Sequence, residues 1–539
     1  GDGNRLTEDN NIKDINFIWL VLAAQLSLIL GTAAIDFIRR KILLYISTRI
    51  NLSLISDFFI KLMRLPMRFF DTKHLGDLLQ RIEDHKRVEN FLSVQTLNLL
   101  FSLLTLVVFG AVLLIYNKTI FIVFVVAGAL YFLWTMLFLK RRRVLDYQYF
   151  EQQAADRNIT YQLINGMQEI KLHNYEQLKR WDWEDVQADK YDISVKSLSL
   201  AQAQEAGGIF IKESKDILIT AFTAISVVHG DMSVGMMLAV QYIIGQLNSP
   251  IEQLMNFIYQ WQDVSISLER MNEIHKETDE DTGERNVTFT DFSNRDISIN
   301  NISFQYNGID SPFVLKDINL EIPRNKVTAI VGASGSGKTT LIKLLLGYYD
   351  VTEGDIYVGP DNIKSLELSW WRSVCGAVMQ DGYIFSDSIA RNIALSDMDI
   401  DIDRLRSAAK MANIDSFIES LPLGYNTQIG QDGQSLSQGQ RQRILIARVI
   451  YKDPAFVFFD EATNSLDANN ERAIIENLRT FYNGKTVIIV AHRLSTVRDA
   501  DNIVVLDSGR IVEQGTHKEL ARRKGAYYNL VKNQLELGN

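Results

Sequence analysis

The sequence predicts two folding units in one chain: an α-helical transmembrane domain, then an α/β domain of the P-loop type with a helical subdomain. Two observations lead to this prediction. Long uncharged runs are concentrated in the first half of the 539 residues, and a glycine-rich phosphate-loop motif, GASGSGKT, lies in the second half at Gly332–Thr339. A chain of this length is also too long for a single hydrophobic core.

The composition narrows the functional classes. The net charge of −9 argues against a general nucleic-acid binder, so no nucleic-acid partner is expected. The single cysteine, Cys375, excludes a disulfide within the chain and a cysteine-based metal site. It lies in the apolar run Val374–Met379, which favours a buried position in a strand.

Five stretches are long enough to cross a bilayer, which takes about 20 apolar residues. They are Phe17–Ile35, Phe91–Tyr116, Thr119–Leu139, Ile209–Val228 and Met232–Ile251. The stretch Ile209–Val228 contains Lys212, Glu213, Lys215 and Asp216. The other four stretches carry no charge. So many apolar runs in the first half exceed what a soluble domain needs.

The charged quartet Lys212–Asp216 is costly inside a membrane unless its members pair or face water. Lys212 and Asp216 are four residues apart and could pair along one helix face. One hypothesis is that the quartet lines a polar pathway with glutamines of the next stretch. The other is that the span begins near Ile217, which leaves the quartet at the membrane surface. The sequence favours neither.

Basic residues set the predicted orientation, because Lys and Arg flanking a span stay on the cytoplasmic side. Arg39–Lys41 and Lys140–Arg143 follow the first and third stretches, so both ends are predicted to be cytoplasmic. With five spans and a cytoplasmic ATP site, Gly1–Asp14 then starts outside the membrane. Either a first span is missing from this numbering, which we favour, or this segment crosses by another route.

Helical patterns continue beyond the predicted spans, over Lys41–Arg64 and Tyr149–Gln162. Turn residues interrupt them at Leu65-Pro66 and at Asn165-Gly166. Such turns at the tips of long helical hairpins predict short transverse helices that could dock onto another domain. The alternative is that these turn residues form ordinary loops between the helices.

The motif at Gly332–Thr339 fits G-x-x-x-x-G-K-[ST], in which backbone N–H groups cradle phosphates. Lys326–Val331 is typical of a buried strand and Thr340–Gly347 opens a helix, which is the context that the motif requires. The helix N-terminus and its dipole then point at the phosphates. Lys338 is expected to reach the β- and γ-phosphates, and the Thr339 hydroxyl is expected to bind Mg²⁺.

Three further strands are predicted to end in polar side chains. FVFFDE ends in two carboxylates, of which Asp460 is expected to face the metal and Glu461 a water beside the γ-phosphate. Gln380 ends the strand GAVMQ and can offer its amide to Mg²⁺ or water. His492 ends the strand TVIIVAH in an equivalent position.

A second potential anion site precedes another helix. Leu436–Gln440 (LSQGQ) is followed by an apolar helical run, so Ser437 and the next N–H groups lie at a helix N-terminus. One ATP domain does not need two such sites. We therefore expect each chain to contribute its second site to the nucleotide of a partner chain.

These patterns divide the chain into four parts. We expect an extracytoplasmic segment at residues 1–14, a transmembrane domain at 15–270, a linker at 271–295 and an ATP-binding domain at 296–539. The linker prediction depends on the charged stretch Glu269–Arg285, which has few large apolar residues. Alternating strands and helices follow it, which indicates a mostly parallel sheet.

With these motifs in this order, nearly the whole chain resembles the ABC transporters of the exporter type, in which membrane and ATPase halves are fused. Gly332–Thr339 is similar to the Walker A motif, Gln380 to the Q-loop and Leu436–Gln440 to the signature motif. Phe456–Asp460 is similar to Walker B, Ser465-Leu466-Asp467 to the D-loop and His492 to the H-loop. Leu65–Ile82 and Asn165–Lys171 resemble the two coupling-helix regions.

The resemblance implies a set of site residues. The catalytic residues it implies are Glu461, His492, Gln380 and Lys338, and the metal ligands are Thr339, Gln380 and Asp460. The nucleotide-binding residues are Tyr306 (stacked on adenine), Gly332, Ser334, Gly335, Ser336, Gly337, Lys338, Thr339, Thr340, Ser437, Gln438, Gly439, Gln440 and Asp467. The cofactors it implies are ATP and Mg²⁺.

Within that family the chain looks like the peptide and bacteriocin exporters, on the stretch SLERMNEI (Ser267–Ile274) and the variant LSQGQ. Two departures stand out. Gln438 occupies the place where the signature more usually has its first glycine, and five spans are visible where six are usual. The papain-like leader peptidase that some peptide exporters carry is not present in this sequence.

The resemblance implies a homodimer with two composite ATP sites, embedded in membrane lipid, that exports a peptide by alternating access. The implied location is the bacterial inner membrane, with the ATPase domain in the cytoplasm. A lipid flippase or multidrug exporter of the same architecture is one alternative. An ATP-gated regulator or sensor that transports nothing in bulk is another.

Overall fold

Long helices form most of the first half of the chain, as the apolar runs predict. The computed structural model describes residues 5–73, 75–281, 283, 285–292, 295–306, 311–395, 397–430, 433–491, 493 and 497–537. The chain divides into two units, residues 1–65 with 72–278 and residues 66–71 with 279–539.

Capped turns separate several of these helices. Asn117 accepts hydrogen bonds from the N–H groups of Thr119 and Ile120 at the start of one helix, and Ser233 accepts from the N–H of Met236 at the start of another. A π-helical turn, Phe91–Gln95, joins α3 to α4. The helices are α1 (Arg5–Met63), α2 (Met67–Thr72), α3 (Leu75–Asn90), α4 (Thr96–Tyr116), α5 (Lys118–Asn165), α6 (Met167–Leu172), α7 (Glu176–Val228) and α8 (Val234–Lys276).

By length and composition, three of the described helical stretches can cross a membrane: Gln25–Met63, Gly76–Tyr116 and Lys118–Asn165. They overlap the first three predicted spans. The fourth and fifth predicted spans lie on α7 and α8, where charged side chains on α7 and amides on α8 reduce the apolar character. Those two spans remain predictions.

Helices α4, α5, α7 and α8 nevertheless share one apolar core. Leu113 of α4, Ile120 of α5, Ile219 of α7 and Val240 and Leu247 of α8 are each at most 2% exposed. They belong to a single cluster of buried side chains. Helices α7 and α8 are therefore packed into the same bundle as the more apolar α4 and α5.

The charged quartet of α7 finds its main partners on α8. The Lys212 ammonium lies 2.6 Å from a carboxylate oxygen of Glu252. The buried Lys215 lies 3.0 Å from Asp216 and donates to Asn248 at 2.6 Å, and Asn248 donates to Asp216 at 3.1 Å. These contacts replace the Lys212–Asp216 pair that the spacing allows, because α8 brings an acid and an amide to the same place.

The structure differs from the predicted linker at both ends. Residues 271–276 belong to α8, where Ile274 is 1% exposed. Farther on, Phe289 is 8% exposed, and the Glu280 carboxylate accepts two 2.7 Å hydrogen bonds from Arg372. The scattered apolar side chains of this charged stretch explain the difference, because their burial is favourable.

Both predicted short helices form at the turns between long helices. Helix α2 lies between α1 and α3, and α6 lies between α5 and α7. Residues 66–71 belong to the second unit, where Phe69 is 7% exposed and Asp71 accepts a hydrogen bond from the Tyr349 hydroxyl. Docking of α2 and of α6 onto another domain remains a prediction.

The second unit contains a mostly parallel sheet and an antiparallel sheet. The parallel sheet has the order β12-β11-β3-β10-β9-β6, with only β12 antiparallel, and the antiparallel sheet has the order β2-β1-β4-β5. A short pair, β7-β8, stands apart. The strands are β1 (Ile297–Phe304), β2 (Leu315–Ile322), β3 (Val327–Gly332), β4 (Glu353–Val358), β5 (Asp361–Asn362), β6 (Cys375–Val378), β7 (Asp387–Ser388), β8 (Gln428–Ile429), β9 (Phe456–Asp460), β10 (Thr486–Val490), β11 (Asn502–Asp507) and β12 (Arg510–Gly515).

Helices cover the parallel sheet, so its central strands are buried on both faces. Phe456 and Phe458 of β9 belong to one buried cluster, and Val457 and Phe459 belong to another. Alternate side chains of one strand therefore enter two cores, as expected of a covered parallel sheet. The helices are α9 (Lys338–Leu345), α10 (Leu368–Val374), α11 (Ile389–Ile393), α12 (Ile402–Met411), α13 (Asp415–Ser420), α14 (Gln438–Lys452), α15 (Ala468–Phe481), α16 (His517–Arg523) and α17 (Ala526–Leu537).

Candidate nucleotide-binding site

Four neighbouring strands bring the predicted site residues to one edge of the parallel sheet. Strands β3, β10, β9 and β6 are adjacent and parallel, so their carboxyl ends meet there. The P-loop (residues 332–339) begins at the last residue of β3, Glu461 directly follows β9, and Gln380 lies two residues after the end of β6. His492 follows β10 in the sequence, but it lies outside the described residues. Ligands of such sheets bind at this edge.

Two glycines shape the P-loop. At Gly332 an added Cβ would lie 2.1 Å from the Leu506 carbonyl oxygen, so only glycine fits between the two strands. Gly337 has a φ of 102° and forms the N-cap of α9 without a side-chain hydrogen bond. This left-handed conformation favours glycine. The first N–H groups of α9 are thus left to a ligand rather than to a capping side chain.

Lys338 lies under the P-loop. Its side chain is 5% exposed and its ammonium donates to the carbonyl oxygens of Gly332 at 3.1 Å and Ala333 at 2.8 Å. Burial lowers the pKa of Lys338, and the nearby carboxylates of Glu461 and Asp460 partly offset this effect. A cation fixed inside the loop is arranged to meet phosphate oxygens.

Asp460 and Thr339 are arranged as a hard-cation site. Asp460 is fully buried, and neither carboxylate oxygen has a hydrogen-bond partner of ordinary geometry in the part of the chain that the structure describes. Burial raises the pKa of Asp460, and the Thr339 hydroxyl beside it acts in the opposite direction. A buried carboxylate next to a hydroxyl fits Mg²⁺, which prefers oxygen ligands.

Glu461 follows β9 with an unusual backbone. Its φ is 52°, in the left-handed region that non-glycine residues seldom adopt. Its carboxylate accepts a hydrogen bond of 2.6 Å from the Asn464 amide. Its backbone N–H donates to the Val490 carbonyl of β10 at 3.0 Å, and its carbonyl accepts from the Gln442 amide at 2.8 Å.

Tyr306 lies beside the helix that the P-loop opens. Its hydroxyl is 3.0 Å from the Thr340 hydroxyl, and its ring makes edge contacts with Phe304 and Tyr349 at centroid distances of 4.9 and 5.3 Å. The half-buried ring is therefore held next to the P-loop helix.

The other P-loop residues and Gln380 differ in exposure. Ser334 and Gly335 are exposed at the tip of the loop, whereas Ser336 and Thr340 are 3% and 7% exposed. The Ser336 hydroxyl has no hydrogen-bond partner among the described residues. Gln380 is exposed. A buried hydroxyl without a partner, such as that of Ser336, is expected where a polar ligand binds.

The second predicted anion site begins α14. Ser437 caps the helix by accepting from the Gln440 N–H at 3.2 Å, and the Gln440 side chain accepts from the Ser437 N–H at 2.9 Å. This is a complete capping box. At Gly439 an added Cβ would lie 3.1 Å from the Ser465 carbonyl oxygen, so the helix start packs closely on the loop after β9. Asp467 ends that loop and accepts from the Asn470 N–H at 2.9 Å.

Sequence reasoning missed two residues of this arrangement, Gln442 and Asn464. Both contact Glu461, and Gln442 also accepts from the Ser465 hydroxyl at 2.6 Å. Only their closeness to the LSQGQ and FVFFDE motifs could have drawn attention to them. Their partners become visible only when α14 is placed on the loop after β9.

Comparison with known proteins identifies the family. The model of the ABC transporter transmembrane region matches residues 4–251, and the ABC transporter model matches residues 315–464. The chain is 33% identical over 526 residues to the leukotoxin translocation ATP-binding protein LktB of Bibersteinia trehalosi, over 97% of this chain and 73% of that protein. This chain belongs to the ABC transporter family.

Two further similarities define the type of ABC transporter. The leukotoxin export ATP-binding protein LtxB of Aggregatibacter actinomycetemcomitans is 33% identical over 517 residues, 95% of this transporter and 72% of that protein. A solved bacterial Atm1-family ABC exporter with ATP bound is similar with a TM-score of 0.85 and 27% identity, over 93% of this chain and 87% of that one. The transporter has the exporter fold.

The family assigns the general activity. This ABC exporter is an integral membrane protein with a helical transmembrane domain and a P-loop ATPase domain, and it couples ATP hydrolysis to export. ABC exporters of this fold work as dimers and move a substrate. The sequence-based predictions of family, fold and ATPase activity are confirmed.

Proposed function

We propose that this exporter moves a secreted polypeptide out of the bacterial cytoplasm across the inner membrane, as a homodimer with two composite ATP sites. The observation that carries the proposal is the 33% identity to proteins named for leukotoxin translocation and leukotoxin export, over 97% and 95% of the chain. Those names specify a toxin as cargo. The resemblance of SLERMNEI and LSQGQ to peptide exporters supports the same substrate class.

Each chain would hold the nucleotide mainly at its own P-loop. The open N-terminus of α9 and the buried Lys338 ammonium would bind the β- and γ-phosphates. Thr339, Asp460 and Gln380 would hold Mg²⁺, which supplies charge neutralisation for the phosphates when bound. Tyr306 would stack on the adenine. The support for these roles is the burial of Lys338 and Asp460 and the closeness of Thr339 to Asp460.

Glu461 would position and deprotonate the attacking water, and His492 would hold the γ-phosphate. The negative charge of Glu461 partly offsets the lowered pKa of Lys338, which supports a place for Glu461 beside the phosphates. General base catalysis contributes typically about 10²–10⁴-fold. A Glu461→Gln exporter should therefore bind ATP normally and hydrolyse it more slowly by about that factor.

The partner chain would complete each site. Ser437 and Gly439 at the exposed start of α14 would face the nucleotide of the second copy, together with Gln438, Gln440 and Asp467. The capping box supports this role because it uses the N–H groups of Ser437 and Gln440 and leaves those of Gln438 and Gly439 pointing out of the helix start.

Transport into inside-out vesicles tests the substrate class. The purified exporter is reconstituted, ATP is added outside, and uptake is measured for labelled polypeptides encoded beside its gene, for a fluorescent phospholipid and for a hydrophobic dye. We expect ATP-dependent uptake of a polypeptide, abolished by Glu461→Gln. Lipid or dye uptake without polypeptide uptake would contradict the proposal in favour of a flippase or drug exporter. Hydrolysis without any uptake would favour a regulator.

A further inference from the structure

The backbone of Glu461 needs support from its surroundings. A non-glycine residue with a φ of 52° is in a sparsely populated region and persists only where neighbouring groups hold it. The loop that follows β9 therefore depends on contacts from other elements. These contacts fix the backbone position from which the Glu461 side chain extends.

Two elements hold the two polar groups of the Glu461 backbone. Strand β10 accepts the N–H at the Val490 carbonyl, at 3.0 Å. On the other side the carbonyl of Glu461 accepts from the Gln442 side-chain amide at 2.8 Å and from the Asn464 N–H at 3.2 Å. Among these partners, Gln442 is the residue of α14, and it contacts Glu461 through its side chain.

The other end of the Gln442 amide holds the same loop at a second point. Its oxygen accepts from the Ser465 hydroxyl at 2.6 Å and from the Ser465 N–H at 3.2 Å. One planar amide thus bridges Glu461 and Ser465, four residues apart. Because donor and acceptor of that amide are both used, a shift of Gln442 would disturb both residues.

Helix α14, which carries Gln442, is packed into the core of the ATPase unit. Beginning two residues after Gln442, the four side chains of 444–447 are each at most 6% exposed, and they belong to the cluster that covers one face of the parallel sheet. The same helix begins at Ser437, the residue proposed to face the partner's nucleotide. Gln442 lies between these two sites, one turn from the helix start.

We propose that Gln442 is a positioning residue for ATP hydrolysis: its amide N–H fixes the backbone of Glu461 and so aims the Glu461 carboxylate at the attacking water. This inference rests on the catalytic role proposed for Glu461. It assigns Gln442 no contact with nucleotide or metal. Loss of its amide should lower the turnover number without weakening nucleotide binding.

Two substitutions separate the donor from the acceptor of the amide. Gln442→Met removes both and keeps the length of the side chain, whereas Gln442→Glu keeps an oxygen for Ser465 and loses the N–H for Glu461. Gln514→Met makes the same chemical change on the exposed strand β12 and serves as the matched control. Glu461→Gln is the reference for loss of the base.

The full-length exporter in nanodiscs is assayed for ATP hydrolysis, for the affinity of a fluorescent ATP analogue and for melting temperature. We expect both Gln442 variants to lower kcat about tenfold while KM and analogue affinity change less than about twofold. Gln514→Met should match the wild type. A purely structural role predicts near wild-type behaviour for Gln442→Glu, which keeps the bonds to Ser465.

Two results would overturn the inference. One is a kcat for Gln442→Glu within about twofold of the wild type, and the other is a loss of analogue affinity as large as the loss of kcat. The Glu461→Gln reference distinguishes this failure from that of the proposed function. If Glu461→Gln hydrolyses ATP slowly and both Gln442 variants have a normal kcat, only the inference about Gln442 is wrong. If Glu461→Gln itself has a near-normal kcat, the proposed catalytic role of Glu461 is wrong.

Discussion

Two helix N-termini of the ATPase unit, those of α9 and α14, were both predicted to bind phosphate, and they are built differently. The N-cap of α9 is Gly337, which makes no side-chain hydrogen bond and precedes the buried Lys338. The N-cap of α14 is Ser437, which forms a capping box with Gln440. The first is open and carries a cation. The second has part of its donor set already satisfied, and the cation among its first five residues, Arg441, is exposed rather than buried.

The difference shows that a helix N-terminus is not by itself a measure of anion affinity. Both helices have a dipole with its positive end at the N-terminus, but the dipole supplies only part of the attraction for an anion. The buried ammonium and the uncapped N–H groups favour α9 as the primary site. The capped start of α14 is suited to complete a site whose phosphate is already held elsewhere. Each prediction below tests this division of roles.

The largest effect is expected at the primary site. Lys338→Met removes the buried cation, and ATP hydrolysis should fall by about 10²–10³-fold, as for the loss of one well-placed electrostatic donor. Affinity for a fluorescent ATP analogue should fall as well, measured by titration of the purified exporter. Ser437→Ala should leave that affinity close to the wild type. Equal losses of affinity for the two variants would contradict the assignment of α9 as the primary phosphate site.

Mixed dimers test whether the two N-termini meet across chains. One chain carries Lys338→Met and the other Ser437→Arg, so one composite site has both lesions and the other has none. Hydrolysis should reach up to about half of the wild-type rate, because intact sites act independently in the simplest case. With both lesions on one chain, each site has one lesion and the rate should be near zero. Equal rates for the two arrangements would contradict composite sites.

The pH dependence should differ between the termini. Burial lowers the pKa of Lys338, so its ammonium loses the proton at a lower pH than an exposed lysine. Phosphate binding needs the charged form, so affinity should fall as pH rises through that lowered pKa, by at most about tenfold per pH unit. Lys338→Arg stays charged and should abolish this alkaline decline, measured by analogue titration at several pH values. A decline that persists in Lys338→Arg would assign it to another group.

The smallest effect is expected at the capping box. Gln440→Ala removes one of the two reciprocal bonds at the start of α14, and the free energy of unfolding of the ATPase unit should fall by about 0.5–1 kcal/mol. Denaturant unfolding followed by fluorescence measures the change. Analogue affinity at the P-loop should be unaffected. A tenfold loss of that affinity would mean that the capped start of α14 does more than complete the site.

Local patterns predicted the regular parts of the site well, for a physical reason. Buried strands need continuous apolar residues and the chain must turn sharply after them, so KVTAIV, FVFFD and TVIIV are visible in the sequence together with the polar residues that follow. Glycines mark the P-loop because a side chain at residue 332 would collide with Leu506. These requirements act over a few residues and leave a local record.

The membrane half was harder to predict. Apolar runs gave its helices, but not the partners of Lys212 and Lys215, which lie on α8 40 and 33 residues later. A charge count also cannot show that α8 continues to Lys276 or that Ile274 and Phe289 are buried. Among the described residues, three helical stretches are long and apolar enough to cross a membrane, and the fourth and fifth spans remain predictions.

The sequence by itself determined the two domains, the P-loop, the signature segment and the family, because these follow from short-range patterns of charge, glycine and hydrophobicity. The tertiary structure decided how the two helix N-termini differ: which one is open, which one is capped, and which lysine is buried. It also decided that Gln442 holds the strained Glu461. Such properties depend on groups far apart in the chain that burial and packing bring within hydrogen-bond distance, so no local pattern encodes them.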